Sequence, residues 1–148
     1  MRMIIALALS LAVAGVCQAH DVKKGALTLS DLQVRATVKG APTTAAYLTI
    51  ANAGKTPDKL LSIDCACADA TMMHETRIQN GVSSMSMLKA VAIPAGGEVR
   101  FKPDSLHVML VGLKRPLKAG AMQQMTLRFE KAGTVKADFH VRDVIALK

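Results

Sequence analysis

Apolar and polar residues alternate along short stretches of this 148-residue chain, in the manner of strands that bury one face. The predicted strands are 27–29, 32–38, 45–51, 59–63, 70–78, 85–93, 98–102, 106–113, 122–130 and 134–144. Turn-forming clusters separate them at 39–42, 52–57, 79–81 and 94–97. After the amino-terminal segment no stretch keeps a helical period. The pattern therefore predicts an all-β fold, an antiparallel sandwich or barrel.

The amino-terminal segment is typical of a secretory signal. Arg2 gives a positive start, residues 4–16 are apolar or small apart from one serine, and residues 17–19 form a small-x-small cleavage site. The apolar run is too short to span a bilayer comfortably. We therefore predict a signal peptide at 1–19 and one mature domain at 20–148, exported to the periplasm.

A lipid anchor is the weaker alternative for this segment. Lipoprotein signals place the modified cysteine after a small residue, whereas Val16 precedes Cys17. Cleavage is thus favoured, with no stable membrane insertion afterwards.

Composition narrows the class of partner. The formal net charge is +8, but the basic residues are spread along the chain without a dense run. Aromatic residues make up 3% of the chain and Trp is absent, which argues against a stacking surface for single-stranded nucleic acid. No nucleic-acid partner is predicted.

Four residues carry the candidate chemistry: His74, Met85, His107 and Met109. Residues two apart on a strand face the same side, so His107 and Met109 would project together while Val108 faces away. Each residue alone is more typical of packing or of a surface histidine, because Met is a common filler of cores. Together they supply two imidazoles and two thioethers, and thioether sulfur is a soft ligand that suits Cu(I).

The spacing of these four residues resembles the signature of the periplasmic copper chaperones of the PCuAC family. That signature is His, ten residues, Met, twenty-one residues, His, one residue, Met, and the chain meets each interval. The flanking segments are similar as well, at 46–52, 73–76, 93–97 and 106–113. The resemblance covers nearly all of the predicted mature chain.

The resemblance implies a cupredoxin-like Greek-key β-sandwich, in agreement with the strand pattern. It also implies one Cu(I) per chain, held near the surface by His74, Met85, His107 and Met109. The implied activity is delivery of copper to the centres of cytochrome c oxidase, with an oxidase subunit or another copper chaperone as the partner. These donors need no thiol deprotonation, so binding should weaken only as the imidazoles protonate, near pH ~6.5.

The chain departs from the usual sequence of the family between the first two predicted ligands. Ser83 and Ser84 stand where the family often has Met and a basic residue. Met87 instead follows Met85 by two positions, and the two would share a face of an extended segment. Met87 is either an alternative ligand or, as is more typical, a hydrophobic neighbour.

Cys65 and Cys67 form a second departure, with three interpretations. An exported protein usually pairs its cysteines, and cysteines two apart need a turn or bulge to do so. A local disulfide comes first, a reduced pair that adds soft copper ligands second, and a redox-active dithiol third.

His20, as the first mature residue, could chelate Cu(II), although an unligated terminus is more typical. His140 has no partner at metal-ligand spacing and is interpreted as structural.

The leading hypothesis is thus a Cu(I) metallochaperone rather than an enzyme. Copper storage or tolerance without a dedicated acceptor is the alternative within binding proteins. A thiol-disulfide oxidoreductase that uses Cys65 and Cys67 is the enzymatic alternative, and a structural β-domain is the third. No nucleophile–base pair or paired carboxylate motif supports hydrolysis.

Overall fold

The computed structural model describes residues 21–143, which form eleven β-strands. The predicted signal peptide at 1–19 and His20 lie outside the described residues. The strands are β1 (Val22–Lys24), β2 (Leu27–Arg35), β3 (Thr43–Asn52), β4 (Asp58–Asp64), β5 (Ala68–Gln79), β6 (Val82–Leu88), β7 (Val91–Ile93), β8 (Glu98–Phe101), β9 (Leu106–Leu113), β10 (Met122–Phe129) and β11 (Gly133–Arg142). Within residues 21–143 there is no helix, and so none that could cross a membrane. The all-β prediction is confirmed.

The strands form one continuous sheet that folds over on itself. Their order is β6-β5-β9-β8-β3-β2-β11-β10-β4-β7, with β1 beside β2. Strand β7 is at one end of this order, yet it contacts β3 and β8, which are near the middle of the order. Strand β4 likewise contacts β5. The two halves therefore share one core, in which Leu48, Leu110 and Phe139 are fully buried.

The pairing is mixed, because β2 runs parallel to β11 and β8 runs parallel to β9, whereas the other pairs are antiparallel. The strand pattern predicted an antiparallel sandwich or barrel, and the two parallel pairs are a difference from it. Alternation of apolar and polar residues determines which face of a strand is buried, but it carries no information on the direction of the neighbouring strand.

Strand β2 contains the predicted strand 27–29 and the first part of the predicted strand 32–38. Its register against β3 shifts between Ser30 and Gln33, and Asp31 has a positive φ of 53°. Such a bulge moves the following residues to the other face. Leu29 and Leu32 are consequently both buried although they are three positions apart.

The segment predicted as one strand at 85–93 is divided in the structure. Its first part belongs to β6, which pairs with β5, and its last part is β7, which pairs with β4 at the far end of the strand order. Between β5 and β6, Asn80 and Gly81 have positive φ angles of 52° and 77°, as two-residue hairpin turns require. The predicted turn at 79–81 is thus present and makes β5 and β6 a hairpin.

Asp58 links the start of β4 to the turn between β10 and β11. Its carboxylate is buried and accepts hydrogen bonds from the backbone N–H groups of Lys59 at 2.7 Å, Lys131 at 2.9 Å and Ala132 at 2.9 Å. Burial alone would raise the pKa of Asp58. The three N–H donors and the nearby Lys131 charge outweigh burial, so the pKa of Asp58 is lowered below its ordinary value of 3.8.

We expect Asp58→Ala to lower the free energy of unfolding by about 3 kcal/mol at pH 7, because buried N–H groups lose a charged acceptor. A group whose folded pKa is lowered stabilises the protein above its unfolded pKa, and that contribution is lost as the pH falls through the folded pKa. The deficit of the variant should therefore shrink as the pH falls below about 3.8. Urea unfolding at pH 7 and pH 3 measures both effects.

Asp64→Ala is the matched control, since Asp64 ends the same strand, is exposed and accepts a hydrogen bond from the Ser62 hydroxyl. It should change stability by no more than about 0.5 kcal/mol. Equal unfolding of Asp58→Ala and wild type at pH 7 would contradict the role given to Asp58.

Candidate metal centre

Strand β9 presents His107 and Met109 on one side and core residues on the other. Val108 and Leu110 have no exposed surface, whereas Met109 is half-buried. The prediction that His107 and Met109 project together, away from Val108, agrees with this alternation.

Strand β5 brings the first predicted ligand next to β9. His74 is the direct register partner of His107, and Met72 is the register partner of Met109. The two imidazole rings lie 5.7 Å apart between centroids and are nearly perpendicular, at 82°. Directly opposed residues share a face, so two imidazoles and two thioethers occupy adjacent positions on the same side of the sheet.

Strand β6 adds two more thioethers to this face. Met87 is the register partner of His74, and Met85 is the register partner of Thr76, one row further along. Both methionines are well exposed, Met85 by 54% and Met87 by 62%. The hairpin does return Met85 towards His74, as predicted, but it is Met87 that lies directly opposite the imidazole.

The backbone of Ser105 orients the His107 ring. Nδ1 of His107 lies 3.0 Å from the carbonyl oxygen of Ser105. A carbonyl only accepts hydrogen bonds, so Nδ1 carries the proton and donates it, which leaves the lone pair of the neutral ring on Nε2. Sequence reasoning missed this contact, because it uses a main-chain atom and leaves no signal in residue type.

His107 is only 8% exposed. It lies directly opposite His74 of β5, next to Val108, where β9 begins to pair with β3 on its other side.

His74 is held as a neutral donor. Its Nδ1 is buried and has no hydrogen-bond partner. Burial lowers the pKa of His74 below the ordinary 6.5, and the adjacent His107 lowers it further. Protonation of the predicted ligand His74 is therefore expected below the ordinary imidazole pKa of 6.5. A buried nitrogen without a partner costs about 1–3 kcal/mol, which a bound cation would offset.

A cavity of about 580 Å³ opens beside these strands. Met85, His107 and Met109 line it together with Thr76, while His74 does not. Three of the four predicted ligands thus reach one solvent-connected space, and the fourth lies directly across the strand pair from His107.

The donors on this face are uncharged, and the thioethers among them are soft. In residues 21–143, no three His, Cys, Asp or Glu side chains come together in a metal-binding arrangement. The side chains that do come together are two imidazoles and several thioethers. Such a set suits Cu(I) and offers little to Mg²⁺ or Ca²⁺, which prefer oxygen ligands.

Cys65 and Cys67 form a disulfide with a Cα–Cα distance of 5.1 Å across a turn. Both residues are buried, as part of the core between β4 and β5. A local disulfide was the first of the three interpretations. Along an extended strand Cys67 is about 23 Å from His74, at roughly 3.3 Å per residue.

The remaining histidine of the described region lies elsewhere. His140 is on β11, where it pairs with Met122 of β10 and Gln33 of β2. In the strand order β11 is separated from β9 by β8, β3 and β2. His140 therefore does not join the face that carries His74 and His107.

Comparisons with known proteins agree with the fold. A family model described as "Putative lipoprotein LpqE-like" matches residues 27–141. The copper-bound PCuAC domain from PmoF2 superposes with a TM-score of 0.73 at 26% identity, over 84% of this chain and 98% of that domain. The solution structure of CuI-DR1885 from Deinococcus radiodurans is 34% identical over 77% of this chain and 76% of its own, with a TM-score of 0.63.

A curated relative matches part of the chain as well. The "Putative lipoprotein Lxx21020" of Leifsonia xyli subsp. xyli (strain CTCB07) is 34% identical over 105 residues, which is 70% of this chain. The match spans 63% of that relative's length.

Proposed function

The chain belongs to the PCuAC family of copper-binding domains, and on that premise we propose that it is a periplasmic Cu(I) chaperone that supplies copper to the centres of cytochrome c oxidase. The proposal includes an exported chain with a signal peptide at 1–19 and one domain at 20–148. The observation that carries it is the register of β5 and β9, which sets His74 opposite His107 with Met109 two positions further on.

In this proposal one Cu(I) is bound by His74, Met85, His107 and Met109. All four donors are neutral, so the bound ion keeps its charge of +1 and no thiol has to lose a proton on binding. The Ser105 carbonyl holds the His107 ring so that Nε2 is the available donor. The unpaired Nδ1 of His74 is a second sign that the face is built for a cation.

The exposure of the donors supports transfer rather than permanent storage. Met85 is 54% exposed, whereas His107 is 8% exposed. A donor group of an acceptor protein can reach the ion from the side of the exposed Met85. The buried imidazole of His107 holds the ion in the domain until transfer begins.

The first test is a Cu(I) titration of the mature protein against a colorimetric chelator under anaerobic conditions. We expect one Cu(I) per chain, and absence of stoichiometric uptake would contradict the proposal. Zn²⁺ and Mg²⁺ at the same concentrations serve as controls and should compete poorly, because two of the four donors are thioethers and none is a thiolate or a carboxylate.

A deletion strain tests the acceptor. Delivery predicts loss of cytochrome c oxidase activity that added copper restores, since excess metal bypasses a chaperone. Sensitivity to excess copper with normal oxidase activity would instead support storage or tolerance. Complementation with a Cys65→Ser/Cys67→Ser variant separates both from an oxidoreductase, because a chaperone that does not use its thiols should still restore the oxidase.

A further inference from the structure

Met87 occupies a position that the four-ligand site does not explain. It is directly opposite His74 on β5, and His74 is directly opposite His107 on β9. The three side chains therefore form one row across three adjacent strands, on the same face. Met85 belongs to the next row, opposite Thr76.

Directly opposed residues have Cβ atoms about 4.5–5.5 Å apart, and diagonal neighbours are within reach of long side chains. The thioether of Met87 is thus at least as well placed to approach a metal on His74 as that of Met85. Met side chains are unbranched and flexible, which lets the sulfur follow an ion without movement of the backbone.

Packing does not account for Met87. It is 62% exposed on β6, a strand at the end of the sheet order that is exposed along most of its length. The structural methionine Met125, by contrast, is 1% exposed within the core.

We propose that Met87 is a further Cu(I) ligand. Together with Met85 and His74 it forms an outer position for the ion, next to an inner position that His107 and Met109 form. This inference rests on the proposed function and names the path by which copper enters and leaves. The ion moves by exchange of dative bonds: those to His107 and Met109 break as the bond to Met87 forms. Copper stays Cu(I) throughout, and no proton or electron is transferred.

Methyl NMR tests the inference directly. Protein labelled with ¹³C at the Met methyl groups is titrated with Cu(I) alone, after each resonance is assigned by single Met→Ala variants. We expect the Met87 methyl to shift together with those of Met85 and Met109 before one equivalent is reached. Met122, which is 48% exposed on β10, is the matched control and should not shift.

The outcomes separate this inference from the proposed function. Shifts at Met85 and Met109 with no change at Met87 would overturn the outer position and leave the four-ligand site intact. No shift at any of these methyl groups, with no copper uptake, would overturn the proposed function and with it the role of Met87.

Affinity measurements give an independent readout. If Met87 replaces Met85 when that side chain is removed, Met85→Ala should weaken Cu(I) binding by no more than about tenfold, and Met85→Ala/Met87→Ala by about 100-fold. Equal affinity of the single and double variants would overturn the inference. Both residues are exposed, so folding should be unaffected, and Met122→Ala again serves as the control.

Discussion

His107→Ala is expected to weaken Cu(I) binding by more than about 100-fold, because removal of even an outer-shell partner of a metal ligand costs about 10–100-fold. His107 is the donor with the most constrained position in the candidate centre. It is buried, its ring is held through Nδ1 by the Ser105 carbonyl, and it faces His74 across the β5–β9 pair.

The loss should also be visible as a loss of metal-dependent stability. A ligand present at 100 times its Kd stabilises the folded protein by about 2.7 kcal/mol. At the same free Cu(I) concentration the variant should gain almost none of this. Chelator competition gives the affinity, and thermal unfolding with and without Cu(I) gives the stabilisation.

His140→Ala is the matched control for this variant. His140 is a half-buried histidine of the same domain, but β11 places it away from the candidate centre. It should bind Cu(I) with wild-type affinity. If His107→Ala kept full affinity, or if His140→Ala lost it, the assignment of the ligands would be wrong.

Gly112→Ala is expected to destabilise the protein by about 3 kcal/mol, through two separate effects on β9. Gly112 has a φ of +70°, which costs an L-residue about 1–2 kcal/mol. A Cβ at this position would also lie 2.8 Å from the Cβ of Asp69, in the neighbouring strand β5. Relief of such a contact requires movement of the backbone and typically costs about 1–3 kcal/mol.

Two further variants separate these effects. Gly120→Ala meets a similar φ of +86° with no atom within 4 Å, so it should show the backbone cost alone. The Asp69→Gly variant has no side chain for a Cβ at position 112 to meet. The addition of Gly112→Ala to Asp69→Gly should therefore cost only the backbone part, and so less than Gly112→Ala costs in the wild type. Urea unfolding gives the free energies, and the Tm of Gly112→Ala should fall by roughly 10 °C.

Equal stability of Gly112→Ala and Gly120→Ala would show that the Asp69 contact is unimportant. The same strand carries His107 and Met109, so the result also bears on the candidate centre. The glycine lets β9 pass close to Asp69 of β5, in the same strand pair that sets His74 opposite His107.

The strand content of the fold follows from local sequence. Alternating residues, such as those of β10, bury every second side chain whichever strand lies alongside. The hairpin between β5 and β6 follows from Asn80-Gly81, because only a few residue types adopt the required positive φ. The shared face of His107 and Met109 also needed no more than the period of a strand.

The composition of the candidate centre followed from the sequence only in part. Donor type suggested His74, Met85, His107 and Met109 as ligands, and the match of their spacing to a family signature made that prediction specific. The spacing of donors along a chain does not measure their distance in space. The sequence could not show that Met87, rather than Met85, lies directly opposite His74.

The tertiary structure decided how these pieces meet. The period of two in a strand determines the face of each side chain but neither the partner strand nor its direction. The pairing of β5 with β9, the parallel β2–β11 pair and the bulge at Asp31 depend on packing between residues far apart in the chain. The sequence by itself thus determined the strands and a set of soft donors. Only the register, set by the shared core, brought His74 to His107 and left Met85 and Met87 exposed beside them.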